Sequence, residues 1–309
     1  MTKKCPHIDL PLLNNHSIVS PLRYPGGKSV MAGFVSELIL SSKNKRSLYV
    51  EPFAGGSGVA LKLLERNIVE QVVINDFDPC VHAFWYSVVN EFSDFMKLFE
   101  STPINLAEWQ KQKTILKEEV SLVEKGFAFF FLNRTNRSGV INGGVIGGKR
   151  QNGKYKIDAR FNKDALRKKL YFIHQNSARI DVRNSNGKDI IAEYVNEEKA
   201  FIYADPPYVE KGSSLYLNHF SKTDHMELAE VFNKNPMGAW MLTYDNSVLI
   251  KNLYRLREIR TFSLKYCVST KRIADELLIV SDSVAPCLGH LIDAWSENAP
   301  EERGNLKNG

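Results

Sequence analysis

The stretch Phe201–Tyr208, with the sequence FIYADPPY, constrains the fold more than any other part of the chain. Its apolar half, with aromatic and β-branched side chains, predicts a buried strand. Two prolines, which lack an N–H and fix φ near −65°, then end that strand after Asp205. We therefore expect a carboxylate, a rigid turn and an aromatic ring at the carboxyl end of a strand, where open α/β sheets bind ligands. The alternative is a proline-stiffened turn with a solvated aspartate.

A second predicted strand, Ser47–Glu51, leads into the glycine-rich turn Pro52–Gly58 and a helix that begins near Val59. Such a unit lets a cofactor lie against the strand ends, because glycine brings the backbone close. The next strand, Gln71–Asn75, is followed by Asp76, about 20 residues after the glycines, where an acid can bind ribose hydroxyls. The glycines do not follow G-x-G-x-x-G and no second nucleotide-binding half is evident. An adenosine-containing cofactor therefore fits better than a dinucleotide.

An earlier turn, Gly26–Lys28, precedes helical apolar spacing over Val30–Leu40. Backbone N–H groups and an ammonium at the start of a helix can hold an anionic group, although an ordinary turn is the alternative. The G-x-x-x-x-G-K-[ST] spacing of a nucleoside-triphosphate loop is lacking, so we exclude that class. Further along, Asp189 lies one connection before the Asp205 strand. It either meets a cofactor at the same sheet edge or caps a helix before Ile190.

Residues 86–169 interrupt the α/β pattern and predict an inserted domain. Within it, Phe127–Leu132 is a buried stretch that fits a helix or a strand. Asn152-Gly153 between apolar segments predicts a tight β-hairpin, because a primed turn needs positive φ at both central residues. Between residues 134 and 169, eleven Lys and Arg side chains stand against two acids, in a chain whose net charge is +6. Such a block is typical of phosphate contacts, and solvated lysines are the alternative.

Arginine and asparagine side chains can read guanine and adenine edges through paired hydrogen bonds. We therefore expect DNA contacts from the loop and hairpin of this basic block, namely Arg134, Asn136, Arg137, Asn142, Lys149, Arg150 and Lys154. The sheet pattern resumes with Ser177–Arg183 and Gly187–Ile191. A further strand is predicted for Trp240–Asn246, and closing strands are predicted for Leu256–Thr261 and Leu277–Val280.

The remaining features exclude several classes of protein. No apolar run approaches the ~20 residues that a membrane-spanning helix needs. The first thirteen residues lack the apolar core of a signal peptide. The four cysteines are far apart in the sequence, without a C-x-x-C pair or a histidine cluster. We expect a cytoplasmic protein with no metal and no membrane segment.

Together, the motifs P-L-R-Y-P-G-G-K, E-P-F-A-G-G-S-G, I-N-D, N-R-T and D-P-P-Y resemble, in this order, those of Dam-like adenine-specific DNA methyltransferases. The likeness spans Pro21 to Ser281. It implies a Rossmann-like α/β sheet that uses S-adenosylmethionine, with an inserted target-recognition domain. The expected division is a discontinuous catalytic domain over 15–85 and 170–285, a helical and β-hairpin recognition insert over 86–169, and a polar tail over 286–309, disordered after Asn298.

The resemblance also implies roles for single residues. Those that match cofactor-binding motifs are Tyr24, Lys28 (near the methionine carboxylate), Phe53, Gly55, Asp76 (on the ribose), Asp189 (near the adenine) and Asp205. Asp205, Pro206 and Tyr208 match the catalytic motif. The hypothesis is that Tyr208 stacks on a flipped-out adenine while Asp205 and the Pro206 carbonyl accept hydrogen bonds from its amino group. The expected partner is double-stranded DNA, bound by a monomer or weak dimer.

After N-R-T the chain departs from many relatives, because Asn136–Gly143 does not contain their C-F-N-G sequence. The GATC target of Dam-like enzymes is therefore not carried over. Two other classes stay open. One is a methyltransferase for RNA or for cytosine N4, although Asp rather than Ser before Pro-Pro argues against cytosine. The other is a catalytically silent DNA-binding protein of the same fold.

Overall fold

The computed structural model describes residues 5–8, 10, 20–24, 28–42, 44–209, 220–267 and 271–297. In this part of the chain, seven strands form one sheet in the order β3-β2-β1-β4-β5-β7-β6. Their bounds are β1 Leu48–Glu51, β2 Gln71–Asn75, β3 Ile180–Arg183, β4 Ala200–Ala204, β5 Trp240–Asp245, β6 Glu258–Cys267 and β7 Lys271–Val280. Strands β1 to β5 are parallel, and β7 pairs antiparallel with both β5 and β6.

The predicted strands are confirmed except Gly187–Ile191, which is helical, and the burial of the others explains why the sequence identified them. Every residue of β4 and β5 is buried, as a central parallel strand covered on both faces requires. Alternate residues of each strand enter opposite cores: Tyr49 and Phe201 on one face, Val50 and Ile202 on the other. The sheet is of the Rossmann-like α/β class with a closing antiparallel hairpin, as expected.

Besides four short 3-10 helices, eleven α-helices are assigned in the described ranges. They are α1 Ala32–Leu40, α2 Gly58–Glu65, α3 Pro79–Asn90, α4 Phe92–Ser101, α5 Leu106–Ile115, α6 Leu122–Thr135, α7 Lys163–Gln175, α8 Gly187–Tyr194, α9 Lys222–Lys234, α10 Val248–Leu253 and α11 Ala285–Glu297. Helices α8 to α10 cover one face of the sheet, and the others pack into the core of the opposite face. None of these helices is long and apolar enough to cross a bilayer.

The inserted region shares its core with the sheet. Phe127–Leu132 lies in α6, whose start is fixed by a capping box of Ser121 and Glu124. The rings of Phe84 in α3 and Phe130 in α6 are stacked, with centroids 5.6 Å apart. The expected boundaries at 85/86 and 169/170 fall inside α3 and α7, so both helices belong to the insert and the sheet together.

The β-hairpin predicted around Asn152-Gly153 is wrong. Residues 144–156 form successive turns with no strand, apart from an isolated bridge between Asn136 and Val145. The Gln151 side chain explains this. Its amide donates to the Ile146 carbonyl at 2.8 Å and accepts from the Ile157 N–H at 2.9 Å. These backbone groups are thus bonded to a side chain and do not pair across a hairpin.

The polar tail predicted from residue 286 is also wrong as far as residue 297. Helix α11 covers this stretch, and its Cys287 and Leu288 are buried against the core that contains α1. The helix is amphipathic, so a composition that is polar on average conceals an apolar side. Residues beyond 297 lie outside the described residues.

We predict that Gly126→Ala lowers the free energy of unfolding by about 1–3 kcal/mol, the usual cost of overpacking. A Cβ at this position in α6 would overlap the Ala83 carbonyl of α3. The matched control is Gly289→Ala in α11, where no heavy atom lies within 4 Å of the added Cβ. That change should be neutral or stabilising by up to about 1 kcal/mol, from helix propensity alone. Denaturant unfolding measures both, and equal effects would contradict the packing explanation.

Candidate active site

A cavity of about 1090 Å³ lies at the carboxyl ends of β1, β2 and β4. Its wall has three parts. The first is the glycine loop (residues 52–58), together with Asp76. The second is formed by Lys28 and Asp205. They belong to the catalytic group, which we define as Lys28, Asp205, Tyr208 and Glu276 and whose last two members lie behind the wall. The third is the cationic cluster, defined as Arg23, Arg134, Arg160 and Lys169.

The glycine loop is shaped by a position that only glycine tolerates well. Gly55 has a φ of +46°, and a Cβ there would lie 2.7 Å from Cε1 of the Tyr24 ring. Its N–H donates to Asp76 Oδ2 at 2.8 Å, and its carbonyl accepts from Trp85 Nε1 at 2.9 Å. The loop backbone is thereby held between Tyr24 on one side and α3 on the other.

The carboxylate of Asp76 is held by the backbone N–H groups of Gly55 and Asp78. Its Oδ1 accepts from the Asp78 N–H at 2.9 Å, and burial raises its pKa to about 7. Asn75 fixes the surrounding loops, because its amide donates to the Pro52 carbonyl at 2.8 Å and to the Ser185 carbonyl at 3.0 Å. One buried side chain therefore joins the segments that follow β1, β2 and β3.

Glu51, at the end of β1, is a buried acid on the cavity wall. Its Oε1 accepts from the Tyr49 hydroxyl at 2.9 Å and the Ala60 N–H at 3.1 Å. Among the described residues its Oε2 has no hydrogen-bond partner. Burial raises the pKa of this carboxyl to about 7, with a smaller contribution from Asp205 in the same direction. A ligand that donates a hydrogen bond or carries positive charge would satisfy the second oxygen.

The catalytic group brings together residues far apart in sequence. Asp205 Oδ1 accepts from the Thr243 hydroxyl at 2.7 Å, and Oδ2 lies 3.1 Å from Lys28 Nζ. Lys28 Nζ also donates to the Tyr208 hydroxyl at 2.6 Å and lies 3.4 Å from Glu276 Oε2. The Tyr208 hydroxyl donates to Glu276 Oε1 at 2.8 Å. Lys28 and Glu276 are buried behind Asp205, which is partly exposed to the cavity.

The cationic cluster has no carboxylate within ion-pair distance in the described part of the chain. Three members donate instead to carbonyl oxygens: Arg23 to Asn136, Arg134 to Pro21 and Lys169 to Ser20. Burial is the main cause that lowers the pKa of Arg134, to about 10, and the charges of Arg23 and Arg160 lower it further. The pKa values of Arg23 and Lys169 are lowered as well, by burial and then by a neighbouring cluster member.

Asn133 joins the insert to the N-terminal motif. Its Oδ1 accepts from the Arg23 N–H at 2.7 Å, and its Nδ2 donates to the Arg23 carbonyl at 2.9 Å and the Gly139 carbonyl at 3.0 Å. Gly139 has a φ of +76°, and a Cβ there would overlap the Arg23 carbonyl. The asparagine of the N-R-T motif is thus a clamp between two loops.

The structure brings most of the predicted cofactor residues to the cavity. Those that line it are Tyr24, Lys28, Phe53, Gly55, Asp76 and Asp205, with Arg134 and Asn142 from the predicted DNA contacts. Asp189 does not line it. It is exposed in the first turn of α8, whose cap is Asn186, and Asn186 and Gly187 line the cavity in its place. Pro206 is buried and Tyr208 points to Glu276, so Pro207 is the proline on the wall.

Asn136 is a correction to the predicted DNA contacts. Its side chain is fully buried, with Oδ1 accepting from Trp109 Nε1 at 2.7 Å and Nδ2 donating to the Val140 and Ile141 carbonyls. Every polar atom of this amide is therefore already bonded within the protein. The other members of the set, Arg137, Lys149, Arg150 and Lys154, are exposed outside the cavity.

Sequence reasoning missed Thr243, Glu276, Arg23, Arg160 and Lys169. Thr243 and Glu276 lie on β5 and β7 and reach Asp205 and Lys28 only because those strands pair. A polar residue inside an otherwise apolar strand is the signal that could have found them. Arg160 and Lys169 lay in the basic block but could not be separated from the solvated members.

The sheet order, the glycine loop with its acid and the acid of the D-P-P-Y motif together define a methyltransferase-type α/β protein. Residues 24–268 match the family of D12 class N6 adenine-specific DNA methyltransferases, and the chain belongs to that family. It is a site-specific enzyme that methylates adenine in DNA. Of the classes left open by the residues, this family membership supports adenine methylation of DNA over RNA or cytosine N4 as the target.

Two relatives have names that agree with this assignment. The chain is 24% identical over 277 residues to the Type II methyltransferase M.MjaIII of Methanocaldococcus jannaschii, covering 82% of this chain and 91% of that one. It is 24% identical over 242 residues to the Type II methyltransferase M.CviBI of Paramecium bursaria Chlorella virus NC1A, and the match covers 75% of this chain and 86% of that one. Among solved structures, the rRNA methyltransferase aviRa of Streptomyces viridochromogenes is similar at 11% identity and a TM-score of 0.37, covering 85% and 88%.

We predict that Glu51→Gln removes a loss of stability that the wild-type protein suffers between about pH 4.5 and pH 7. The unfolded glutamate ionises near 4.5 and the folded one near 7, so the folded state holds the extra proton and stability falls as pH rises. Over this whole pH range the wild-type protein loses about 3 kcal/mol of its free energy of unfolding through Glu51. Denaturant unfolding at pH 5 and pH 8 measures this: the free energy of unfolding of the variant, relative to wild type, should be higher at pH 8 than at pH 5. A pH-independent difference between the two proteins would contradict the buried-acid assignment.

Proposed function

We propose that this enzyme transfers a methyl group from S-adenosylmethionine to N6 of an adenine turned out of double-stranded DNA, with Asp205 as the acceptor for the amino group. The observation that carries the proposal is that Asp205 opens onto the same cavity as Gly55 and Asp76. Thr243 and Lys28 each bond one oxygen of Asp205 and so fix its orientation. A cofactor side and a base side therefore share one enclosed space.

The residues of the cavity fit S-adenosylmethionine. Asp76 keeps lone pairs for ribose hydroxyls beyond the two backbone bonds that orient it. Gly55 packs so closely on the Tyr24 ring that a Cβ there would overlap it, which leaves the loop without a side chain at this point of the wall. The unpartnered Oε2 of Glu51 suits a positively charged or donor group. When bound, this cofactor supplies an electrophilic methyl group on a sulfonium.

Asp205 is needed because an exocyclic amine conjugated to a purine is a weak nucleophile. As the new bond forms, positive charge develops on N6. A fixed carboxylate that accepts a hydrogen bond from the amino group stabilises that charge, and no reorganisation is needed because Asp205 is already held. The N6 proton then leaves to solvent. The Pro206 carbonyl is the second proposed acceptor.

Stacking of Tyr208 on the extruded base remains part of the proposal. In the present conformation its hydroxyl is bonded to Lys28 and Glu276 and its ring is not on the cavity wall. Stacking therefore requires the ring to turn toward the cavity when a base enters. The adjacent loop end is restrained, because the Val209 N–H donates to Asp245 Oδ1 at 3.1 Å.

We assign the phosphate contacts to two sets of cations. The cationic cluster lines the cavity and would hold the backbone beside the extruded nucleotide. The exposed Arg137, Lys149, Arg150 and Lys154, with Asn142 at the cavity mouth, would contact the surrounding duplex. The insert from residue 86 to 169 supplies most of these side chains, which supports its role as the recognition unit.

Cys80 and Cys287 are free cysteines, in keeping with a cytoplasmic enzyme.

The direct test is tritiated methyl transfer from S-adenosylmethionine to unmethylated plasmid DNA, followed by nucleoside analysis. Wild type should form N6-methyladenine at one recurring sequence. Asp205→Ala should lower turnover by about 100-fold or more, since electrostatic stabilisation of this kind is usually a large contribution. Thr243→Val should lower it less, because Lys28 still orients the acid.

Folding of both variants is checked by thermal melting, and cofactor binding by calorimetry. An Asp205→Ala enzyme that folds, binds the cofactor and turns over near the wild-type rate would disprove the mechanism. Cofactor binding with no methylation of DNA by the wild-type enzyme would disprove the proposed reaction.

For the cationic cluster, we predict that Arg160→Ala weakens binding to duplex DNA and reduces the slope of log K against log salt concentration by about one. The matched control is Arg167→Ala, nearby on α7, which removes the same charge. Arg167 is paired with Glu100 and Asp164, and its bonds to them raise its pKa. It should therefore leave the slope unchanged. Fluorescence anisotropy at several salt concentrations measures this, and equal slopes for the two variants would count against the assignment.

A further inference from the structure

Glu276 is a buried acid that no motif identified. It lies on β7, in register with Asp245 of β5 and Phe262 of β6, and it is 1% exposed. An ionisable side chain buried inside a closing strand is costly unless it is bonded. Its carboxylate instead points to the catalytic group, where Oε1 accepts from the Tyr208 hydroxyl and Oε2 lies 3.4 Å from Lys28 Nζ.

The geometry points to Glu276 as a positioning residue that holds Lys28 and Tyr208 and sets the charge beside the reacting centre. This inference rests on the proposed function. Lys28 Nζ lies between two carboxylates, at 3.1 Å from Asp205 and 3.4 Å from Glu276. Those three side chains carry one positive and two negative charges. With Asp205 alone, the ammonium would cancel the negative charge of the acid that must face a developing cation.

The consequence is a preference between cofactor and product. The cofactor is a sulfonium and carries one more positive charge than S-adenosylhomocysteine, which is a neutral thioether. A second carboxylate behind Lys28 lowers the potential at the cavity wall, and this favours the cationic ligand over the neutral one. Since Glu276 is buried, solvent screens its charge only weakly. Glu276 therefore favours binding of the cofactor and release of the product without touching either.

The test compares the dissociation constants of S-adenosylmethionine, sinefungin and S-adenosylhomocysteine, measured by calorimetry on the full chain without DNA. Sinefungin carries an amine in place of the sulfonium and cannot transfer a methyl group. Glu276→Gln keeps the shape and an acceptor for Tyr208 but removes the charge. We expect it to weaken both cationic ligands by about tenfold relative to S-adenosylhomocysteine, the effect of one unscreened charge nearby.

The matched control is Asp275→Asn, one residue earlier on β7, whose exposed carboxylate accepts from the Ser263 hydroxyl at 2.7 Å. It removes the same charge and should leave the affinity ratios within about twofold of wild type, because an exposed charge is screened. Equal weakening of all three ligands by Glu276→Gln would overturn the inference and leave Glu276 a purely structural residue. Unchanged ratios would overturn it too.

Glu276→Asp provides a second variant if Glu276→Gln does not fold. It keeps the charge but is one methylene short of Lys28 and Tyr208. Because the charge is kept and moves by only about one methylene, the ratio should stay within about twofold of wild type. A fall as large as about tenfold in a folded Glu276→Asp enzyme would overturn the inference. A wild-type enzyme that binds none of the three ligands would instead contradict the proposed cofactor, which keeps the two failures distinct.

Discussion

Strands β1 and β4 lie side by side at the point where the strand order of the sheet reverses. The helix that follows β1 packs on one face of the sheet, through Leu61, while the helix that follows the β4 loop packs on the other, through Leu228. The two connections therefore diverge, and a crevice opens between them at the carboxyl edge. The glycine loop lies on one side of this crevice and Asp205 on the other. The strand order thus creates the cavity, and the side chains that line it determine which ligand it can bind.

Buried amide side chains fix the positions of several loops at that edge. Asn75 joins three loops of the sheet, and Asn133 joins the end of α6 to the backbone of Arg23. Such bonds are strong in a low-dielectric interior, and each is expensive to lose because the remaining partner is left unsatisfied. Arg23 lies five residues before Lys28. The insert is therefore connected through one short segment to the lysine that orients Asp205.

The sequence was sufficient for the parts of the fold that depend on local patterns. Apolar runs ended by Asp205 or by the glycine loop could only be buried strands, and their carboxyl ends had to meet. Local patterns failed where one side chain competes with the backbone, as at Gln151, and where an amphipathic helix has a polar average, as at α11. In the site, Asp76 and Asp205 could be found because motifs carry them. Glu276 and Arg160 could not be found, because only contacts between residues far apart in the sequence place them in the site.

The charges of the cavity are divided, and this division orients any ligand that enters. Acids lie on the side of the strand ends, with Glu51, Asp76 and Asp205 on the wall. The cationic cluster lies on the side of the insert, where mutual repulsion among its members contributes to lowering the pKa of Arg134. An anion beside the cluster would relieve that repulsion, whereas a cation or an amino group is favoured near the acids. A nucleotide of DNA carries both kinds of group, a phosphate and an adenine amino group. In the proposed reaction, the field of the cavity would therefore favour one orientation, with the phosphate toward the insert and the amino group toward Asp205, before any shape complementarity is considered.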